Sequence, residues 1–262
     1  MWAESIIIFI FGLLWGSFSN VVIHRLPKGE SVVHPRSRCP KCEAAIAWYD
    51  NVPVVSWLLL RGRCRKCRTP IPIRYPVVEL LTGLVFLFIF LKYGYSWTTL
   101  EYLLFAWALI VVSFIDLDHM ILPDVFTLSG IVIGLVGAAL NPERSLVPAI
   151  AGVLMGGGFL FLIAYVYLLW RKEEGMGGGD IKLLAWIGAV LGWTSIPFVI
   201  LASSVLGSFV GVILAVRSKA GLKSVIPFGP YLALAAIVYI LGGKALGLWY
   251  ISLFLPDLGP VN

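Results

Sequence analysis

Residues 98–116, TTLEYLLFAWALIVVSFID, form a nearly unbroken apolar run that ends in a carboxylate and decides the fold class of this chain. A helix needs about 20 mostly apolar residues to cross a bilayer. Working outward, seven further stretches have this character, although two are short: 5–23, 77–91, 125–140, 147–170, 181–191, 197–216 and 231–250. The sequence therefore predicts an all-α polytopic integral membrane protein with about eight transmembrane helices.

The composition supports that class and excludes others. Of 262 residues, 60% are hydrophobic and 13% are charged, whereas a soluble domain is about a quarter charged. These proportions exclude an intrinsically disordered chain, a coiled coil and a small secreted disulfide scaffold. The net charge of +6 indicates nucleic-acid binding only if the basic residues are not needed to set membrane topology.

The basic residues do follow a topological pattern. With the N-terminus outside, the segments 24–76, 116–124, 171–180 and 217–230 are cytoplasmic, and they or their immediate flanks hold seventeen of the twenty Lys and Arg residues. Because cytoplasmic loops of membrane proteins are enriched in Lys and Arg, we predict a multi-pass membrane protein with its N-terminus outside. Nucleic acid is not a predicted partner. Since no basic residue precedes the first apolar run, we expect a retained helix rather than a cleaved signal peptide.

This topology divides the chain into four parts. Residues 1–23 form the first transmembrane helix, 24–76 a cytoplasmic loop, 77–255 a core of helices 2–8, and 256–262 a tail. The loop is too small to be held together by an apolar core of its own. We therefore expect another kind of cross-link within it.

Two cysteine pairs in the loop supply that cross-link. Cys39 and Cys42 form one C-x-x-C unit, Cys64 and Cys67 form another, and 21 residues separate them. Each unit offers two thiolates from a tight turn, and four thiolates form the tetrahedral shell of a structural zinc ion. A redox or disulfide role is the alternative, but a cytoplasmic position disfavours lasting disulfides. The sequence predicts a small cytoplasmic zinc-knuckle loop.

Two acidic residues stand at the cytoplasmic ends of predicted spans. Asp116 follows the run 98–115, and Asp180 precedes the run 181–191 after the glycine-rich segment 175–179. Ionisable groups at membrane depth are functional candidates. If the two carboxylates meet, one takes a proton from water while the other, still protonated, donates to a peptide carbonyl oxygen. The glycines would let the backbone approach an extended substrate closely.

The acidic residues also have purely structural interpretations. Asp180 would serve as a helix N-cap, and we expect this role for Asp124, which follows Pro123 at a helix start. We expect Asp118 to be solvated. His119 has no partnered Ser or Cys that would indicate a nucleophilic triad.

Six segments together resemble the type IV prepilin peptidases. They are GSFSNVVIHRLP (16–27), the two cysteine pairs, RYPVVEL (74–80), the aspartate segment 116–124, GGGD (177–180) and PFGPY (227–231). The resemblance implies a membrane aspartic endopeptidase of the G-x-G-D class, with Asp116 and Asp180 as its catalytic pair. It further implies that prepilins or pseudopilins, which carry a basic leader before a hydrophobic helix, are cut on the cytoplasmic side of the bacterial inner membrane. The new N-terminal residue, usually Phe, is then methylated with S-adenosylmethionine.

The residues that bind S-adenosylmethionine cannot be named from the sequence, which lacks the glycine motif of soluble methyltransferases. Three alternatives stay open at this point: a peptidase without methyltransferase activity, a polytopic transporter or channel, and a scaffold subunit that docks through its cysteine loop. Transporters place acidic residues near the bilayer midplane, whereas here they lie at one surface. A scaffold would leave both aspartates unexplained.

Overall fold

The computed structural model describes residues 2–173, 177–217 and 226–252. Within them the chain forms ten α-helices: α1 Trp2–Arg25, α2 Val55–Leu59, α3 Arg74–Tyr93, α4 Trp97–His119, α5 Asp124–Leu140, α6 Leu146–Arg171, α7 Gly178–Leu191, α8 Ser195–Arg217, α9 Gly229–Val238 and α10 Lys244–Ser252. Short 3₁₀ helices cover Leu26–Lys28 and Trp48–Asn51. The predicted tail 256–262, the glycine-loop residues 175 and 176, and the basic residues 219 and 223 lie outside the described residues.

The all-α membrane fold is confirmed in the described part of the chain. Five helices have the length and apolar composition of a membrane span: α1, α3, α4, α6 and α8. Two of the other predicted spans correspond to shorter apolar helices, α5 and the helix that begins with α9. The predicted number of eight spans stays a prediction.

The last predicted span, 231–250, is not a uniform helix. A π-helical turn at Tyr239–Gly243 separates α9 from α10. Such a turn shifts the backbone hydrogen-bonding pattern, and the carbonyl oxygen of Ile240 accepts hydrogen bonds from Lys92 Nζ at 2.7 Å and from the Tyr93 hydroxyl at 2.9 Å. Side chains at the end of α3 thus stabilise the irregular turn in the way expected for a helix interruption inside a membrane protein.

The core lies among α3, α4, α7 and α9. Phe86, Leu109, Ile187 and Leu232, one from each helix, are fully buried. By contrast, α6 and α8 expose large apolar side chains along much of their length. This distribution matches a bundle whose inner helices pack against protein and whose outer helices face lipid.

Helix α7 is held on both sides by close packing of small residues. A Cβ atom at Gly152 of α6 would lie only 2.2 Å from the carbonyl oxygen of Gly188 of α7. On the other side, a Cβ at Gly130 of α5 would lie 2.3 Å from the Trp186 ring of α7. Small residues allow such close approach between membrane helices. The packing fixes the helix whose first turn carries Asp180.

Candidate active site and cysteine cluster

Asp116 is a buried carboxylate in the last turn of α4. It is 5% exposed, and its Oδ2 atom accepts a hydrogen bond of 3.1 Å from the backbone N–H of Gly229, the first residue of α9. A Cβ at Gly229 would stand 2.6 Å from the same oxygen. Glycine is therefore the residue that lets this backbone approach the carboxylate.

Asp180 lies in the first turn of α7, directly after Gly179. The Leu122 side chain packs against Gly179, the neighbour of Asp180 in the chain, and against Gly229, whose N–H binds Asp116. The fold thus brings together two acids that are 64 positions apart in the sequence. A pair of carboxylates in a partly buried setting has the composition needed to activate one water molecule.

The structure corrects the structural interpretations of the neighbouring acids. Helix α7 begins at Gly178 with Gly177 at its N-cap, so Asp180 is not the capping residue. Likewise Pro123 is the N-cap of α5, and Asp124 is its first helical residue. The Pro123 carbonyl accepts the first helical hydrogen bonds, from Phe126 and Thr127.

Asp118 and Asp124 instead form ion pairs between helices. Arg74 of α3 contacts Asp118 at 2.5 Å, and Lys182 of α7 contacts Asp124 of α5. Asp118 is exposed, as predicted, and it also pairs with Arg74 because the N-terminus of α3 lies beside the C-terminus of α4. Half-exposed pairs of this kind add little stability, but they show that these helix ends lie at the same end of the bundle as the Asp116 and Asp180 pair.

The sequence did not reveal that Gly229 binds the Asp116 carboxylate. It lies in the PFGPY segment, between two prolines at a helix start. Proline in the first turn is compatible with a helix, since the first N–H groups have no partner within the helix. A glycine at such a start, with its N–H free to bind an anion, is the signal from which its role could have been inferred.

The four cysteines gather into one cluster. Their Sγ atoms all lie within 4.8 Å of one another, and those of Cys39 and Cys67 are 3.7 Å apart. Four sulfurs at about 2.3 Å from one metal ion define a tetrahedron with edges of about 3.8 Å. The cluster therefore fits a tetrahedral metal ion.

Local backbone geometry favours thiolates in each pair. The N–H groups of Cys42 and Lys41 point at Cys39 and lower the pKa of its thiol. Thr69, whose hydroxyl oxygen lies 3.3 Å from the sulfur of Cys67, lowers the pKa of Cys67 to about 6. The Ala44 N–H acts on Cys42 in the same direction, but burial and the three neighbouring sulfurs outweigh it and raise the pKa of Cys42 to about 11. A bound divalent cation would offset that repulsion.

Comparison with known proteins places both halves of the chain. The family described as the bacterial peptidase A24 N-terminal domain matches residues 10–93, and the type IV leader peptidase family matches residues 103–212. A prepilin leader peptidase/N-methyltransferase of Aeromonas hydrophila is 41% identical over 97% of this chain and 96% of its own length.

Two further relatives carry the same name. The protein of Pseudomonas aeruginosa is 38% identical over 93% of this chain and 92% of its own, and that of Legionella pneumophila is 35% identical over 96% of each. No solved structure matches the chain. The resemblance inferred from the six sequence segments is confirmed, and the chain belongs to the type IV leader peptidase family.

Proposed function

We propose that this protein removes the leader peptides of type IV prepilins or pseudopilins and then N-methylates the new N-terminal residue. Cleavage takes place on the cytoplasmic side of the inner membrane, and S-adenosylmethionine is the methyl donor and second substrate. The full-length relatives named for both activities support this assignment.

The observation that carries the proposal is the meeting of Asp116 and Asp180. One comes from the end of α4 and the other from the start of α7, and Leu122 packs both against Gly179, next to Asp180, and against Gly229, which binds Asp116. The N–H of Gly229 holds Asp116 from a third helix. A transporter or a scaffold gives no reason for this arrangement at one end of the bundle.

The two carboxylates share the proton transfers of peptide hydrolysis. A water molecule between them loses a proton to the ionised carboxylate as its oxygen bonds to the carbonyl carbon, while the protonated carboxyl donates to the carbonyl oxygen. The tetrahedral intermediate then collapses: the hydroxyl returns its proton, the C–N bond breaks, and the amine nitrogen takes up a proton from a carboxyl group. Since the pair titrates as a unit, we assign no fixed acid or base role to either residue.

The orientation follows from the charge distribution. Arg74 and Lys182 lie at the bundle end that holds the aspartate pair, where Arg74 meets Asp118 and Lys182 meets Asp124. Arg144 lies at the opposite end of α7, where it contacts Glu101 at 2.5 Å and the Ala189 carbonyl. Because the predicted topology puts seventeen of the twenty basic residues on the same side as Arg74 and Lys182, we assign that side to the cytoplasm and the N-terminus to the outside.

We further propose that the cysteine cluster binds one structural zinc ion. Four thiolates leave no open coordination position, so the ion cross-links the loop 24–76 and takes no direct part in hydrolysis. Cys39, Cys42, Cys64 and Cys67 would hold it. The loop then serves as a folded unit attached to α1 and α3, and we expect methyl transfer to depend on it.

The test uses purified protein in detergent, a synthetic prepilin and S-adenosylmethionine, with leader release and methyl addition followed by mass spectrometry. Asp116→Asn and Asp180→Asn keep the size of the side chain and remove its charge. We expect each to reduce cleavage by about 10²- to 10⁴-fold, while methylation of a peptide that already begins at the mature residue is retained.

Asp118→Asn is the matched control, because it changes a carboxylate on the same turn of α4 that faces Arg74 instead of Asp180. It is expected to cleave at close to the wild-type rate. Normal cleavage by Asp116→Asn or Asp180→Asn would remove that residue from the catalytic pair. Cleavage without methyl addition by the wild type would reduce the function to a peptidase alone.

A further inference from the structure

Glu79 is a buried acidic residue that belongs neither to the aspartate pair nor to the cysteine cluster. It lies in the second turn of α3 and is 8% exposed. Its Oε2 atom accepts a hydrogen bond of 2.7 Å from the backbone N–H of Val54 in the cysteine loop. Gly16 of α1 packs against the backbone of Glu79, where an added Cβ would lie 2.6 Å from the Glu79 Cα atom. One residue of α3 therefore contacts both α1 and the loop.

The loop residue bound by Glu79 has an unfavourable backbone conformation. Val54 has φ 62° and ψ −51°, and the Val55 N–H bonds to the Pro53 carbonyl at 2.6 Å. This conformation is the γ-turn with positive φ, which is rare and strained. The strain is greatest for a β-branched residue such as valine. Such a conformation persists only where the surroundings hold it. The Glu79 carboxylate, which accepts the Val54 N–H, is the group from outside the loop that contributes to holding it.

Hydrogen bonds connect this turn to the second cysteine pair. Helix α2 begins directly after it at Val55, and the Trp57 indole N–H of α2 bonds to the Ile71 carbonyl at 3.0 Å. The Ile71 N–H bonds in turn to the Gly62 carbonyl at 2.7 Å, two residues before Cys64. The placement of α2 therefore affects the placement of the cysteine cluster.

A second connection runs through the 3₁₀ helix Trp48–Asn51. The Ser56 hydroxyl of α2 donates to the Tyr49 carbonyl at 2.9 Å. Asp50 of the same 3₁₀ helix contacts Arg65, between the second pair of cysteines, at 2.6 Å. Both connections start from the segment that Glu79 holds.

We propose that Glu79 is a positioning residue that holds the cysteine-containing loop in place against the membrane helices α1 and α3. The metal cluster keeps the two cysteine turns together, and Glu79 sets where the resulting unit sits. An apolar residue would avoid the cost of burying a carboxylate but would leave the Val54 N–H without this acceptor. The positioning role of Glu79 is independent of the proposed function. Only the expected effect, that methyl transfer requires the docked loop, rests on that function.

The test compares full-length Glu79→Ala and Glu79→Gln with the control Glu30→Ala, which removes an exposed glutamate from the same loop. Four quantities are measured: amide hydrogen exchange over residues 48–60, zinc per chain, cleavage kcat and KM, and methyl-transfer kcat and KM. A hydrogen bond from a backbone N–H to a charged acceptor contributes about tenfold to a hundredfold to an equilibrium.

We expect Glu79→Ala to speed exchange over 48–60 by roughly that factor and to lower methyl transfer at least about tenfold. Zinc per chain and cleavage kcat are expected to stay near wild type. Glu79→Gln retains an oxygen that accepts the Val54 N–H, so it should restore both exchange protection and methyl transfer. Glu30→Ala should match the wild type.

Three results would overturn the proposal. One is wild-type exchange and methyl transfer in Glu79→Ala. Another is loss of zinc and of both activities in that variant, because the residue would then be needed for the folding of the loop and not for its placement. The third is a Glu79→Gln protein that behaves like Glu79→Ala. If the wild type itself failed to cleave prepilin, the proposed function would be refuted, whereas exchange and zinc content would still test the role of Glu79.

Discussion

Gly229→Ala is the substitution that best tests the geometry of the aspartate pair. The added Cβ would lie 2.6 Å from Asp116 Oδ2, although contacts below about 3.4 Å are already tight. The carboxyl group must therefore move by about 0.8 Å, which also breaks its 3.1 Å hydrogen bond with the Gly229 N–H. Because a misplacement of about 1 Å costs about 100-fold in rate, we expect cleavage kcat to fall by about that factor.

The stability of the fold should change little in this variant. Gly229 lies at a helix start, where alanine has the better helix propensity, and the obstructing atom is the end of a side chain that can rotate away. Initial rates of leader release and the thermal unfolding midpoint in detergent are measured together. Gly158→Ala is the control, because a Cβ at that helical glycine meets nothing within 4 Å. Wild-type cleavage by a stably folded Gly229→Ala protein would refute the proposal that the contact between Gly229 and Asp116 matters for catalysis.

Other predictions concern stability and the metal. The purified protein should carry about one zinc ion per chain, and metal analysis that finds no zinc would contradict the assignment. Removal of the zinc by a chelator should make the loop 24–76 susceptible to trypsin. Arg144→Met leaves Glu101 without its partner and should destabilise the protein by about 1–3 kcal/mol, which a lower unfolding midpoint measures and an unchanged midpoint would contradict. Gly152→Ala places a Cβ 2.2 Å from the Gly188 carbonyl oxygen, so we expect a loss of at least about 1–3 kcal/mol in the same assay, with Gly158→Ala again unaffected.

The sequence alone was enough to locate residues whose position is set by the hydrophobicity of the neighbouring chain. Asp116 ends a long apolar run and Asp180 begins another, so their location at helix ends is a consequence of hydrophobicity alone. Within each C-x-x-C unit, likewise, a tight turn of the backbone brings the two cysteine sulfurs close together. In both cases the deciding residues are neighbours in the chain. The gathering of all four cysteines, Cys39, Cys42, Cys64 and Cys67, was predicted from a known metal-site spacing, and it joins pairs that lie 21 residues apart.

The remaining features depend on which helices become neighbours. Asp118 pairs with Arg74, 44 positions away, and no local pattern indicates that α3 starts beside the end of α4. Glu79 looks like a polar residue at the start of a span, yet it binds a loop residue 25 positions before it. The π-turn in the last span depends on Lys92 and Tyr93 of α3, which lie nearly 150 positions from Ile240.

The tight seating of α7 between α5 and α6 determines how the site can open. Main-chain atoms of Gly152 and Gly188 approach so closely that neither helix can slide or turn past the other without collision. Gly130 beneath the Trp186 ring restrains the opposite flank. Asp180 is therefore carried by a helix that is wedged between two close neighbours. We expect a substrate helix to enter by displacing α4, α8 or α9, and Asp116 changes its distance to Asp180 only where α4 is the helix displaced.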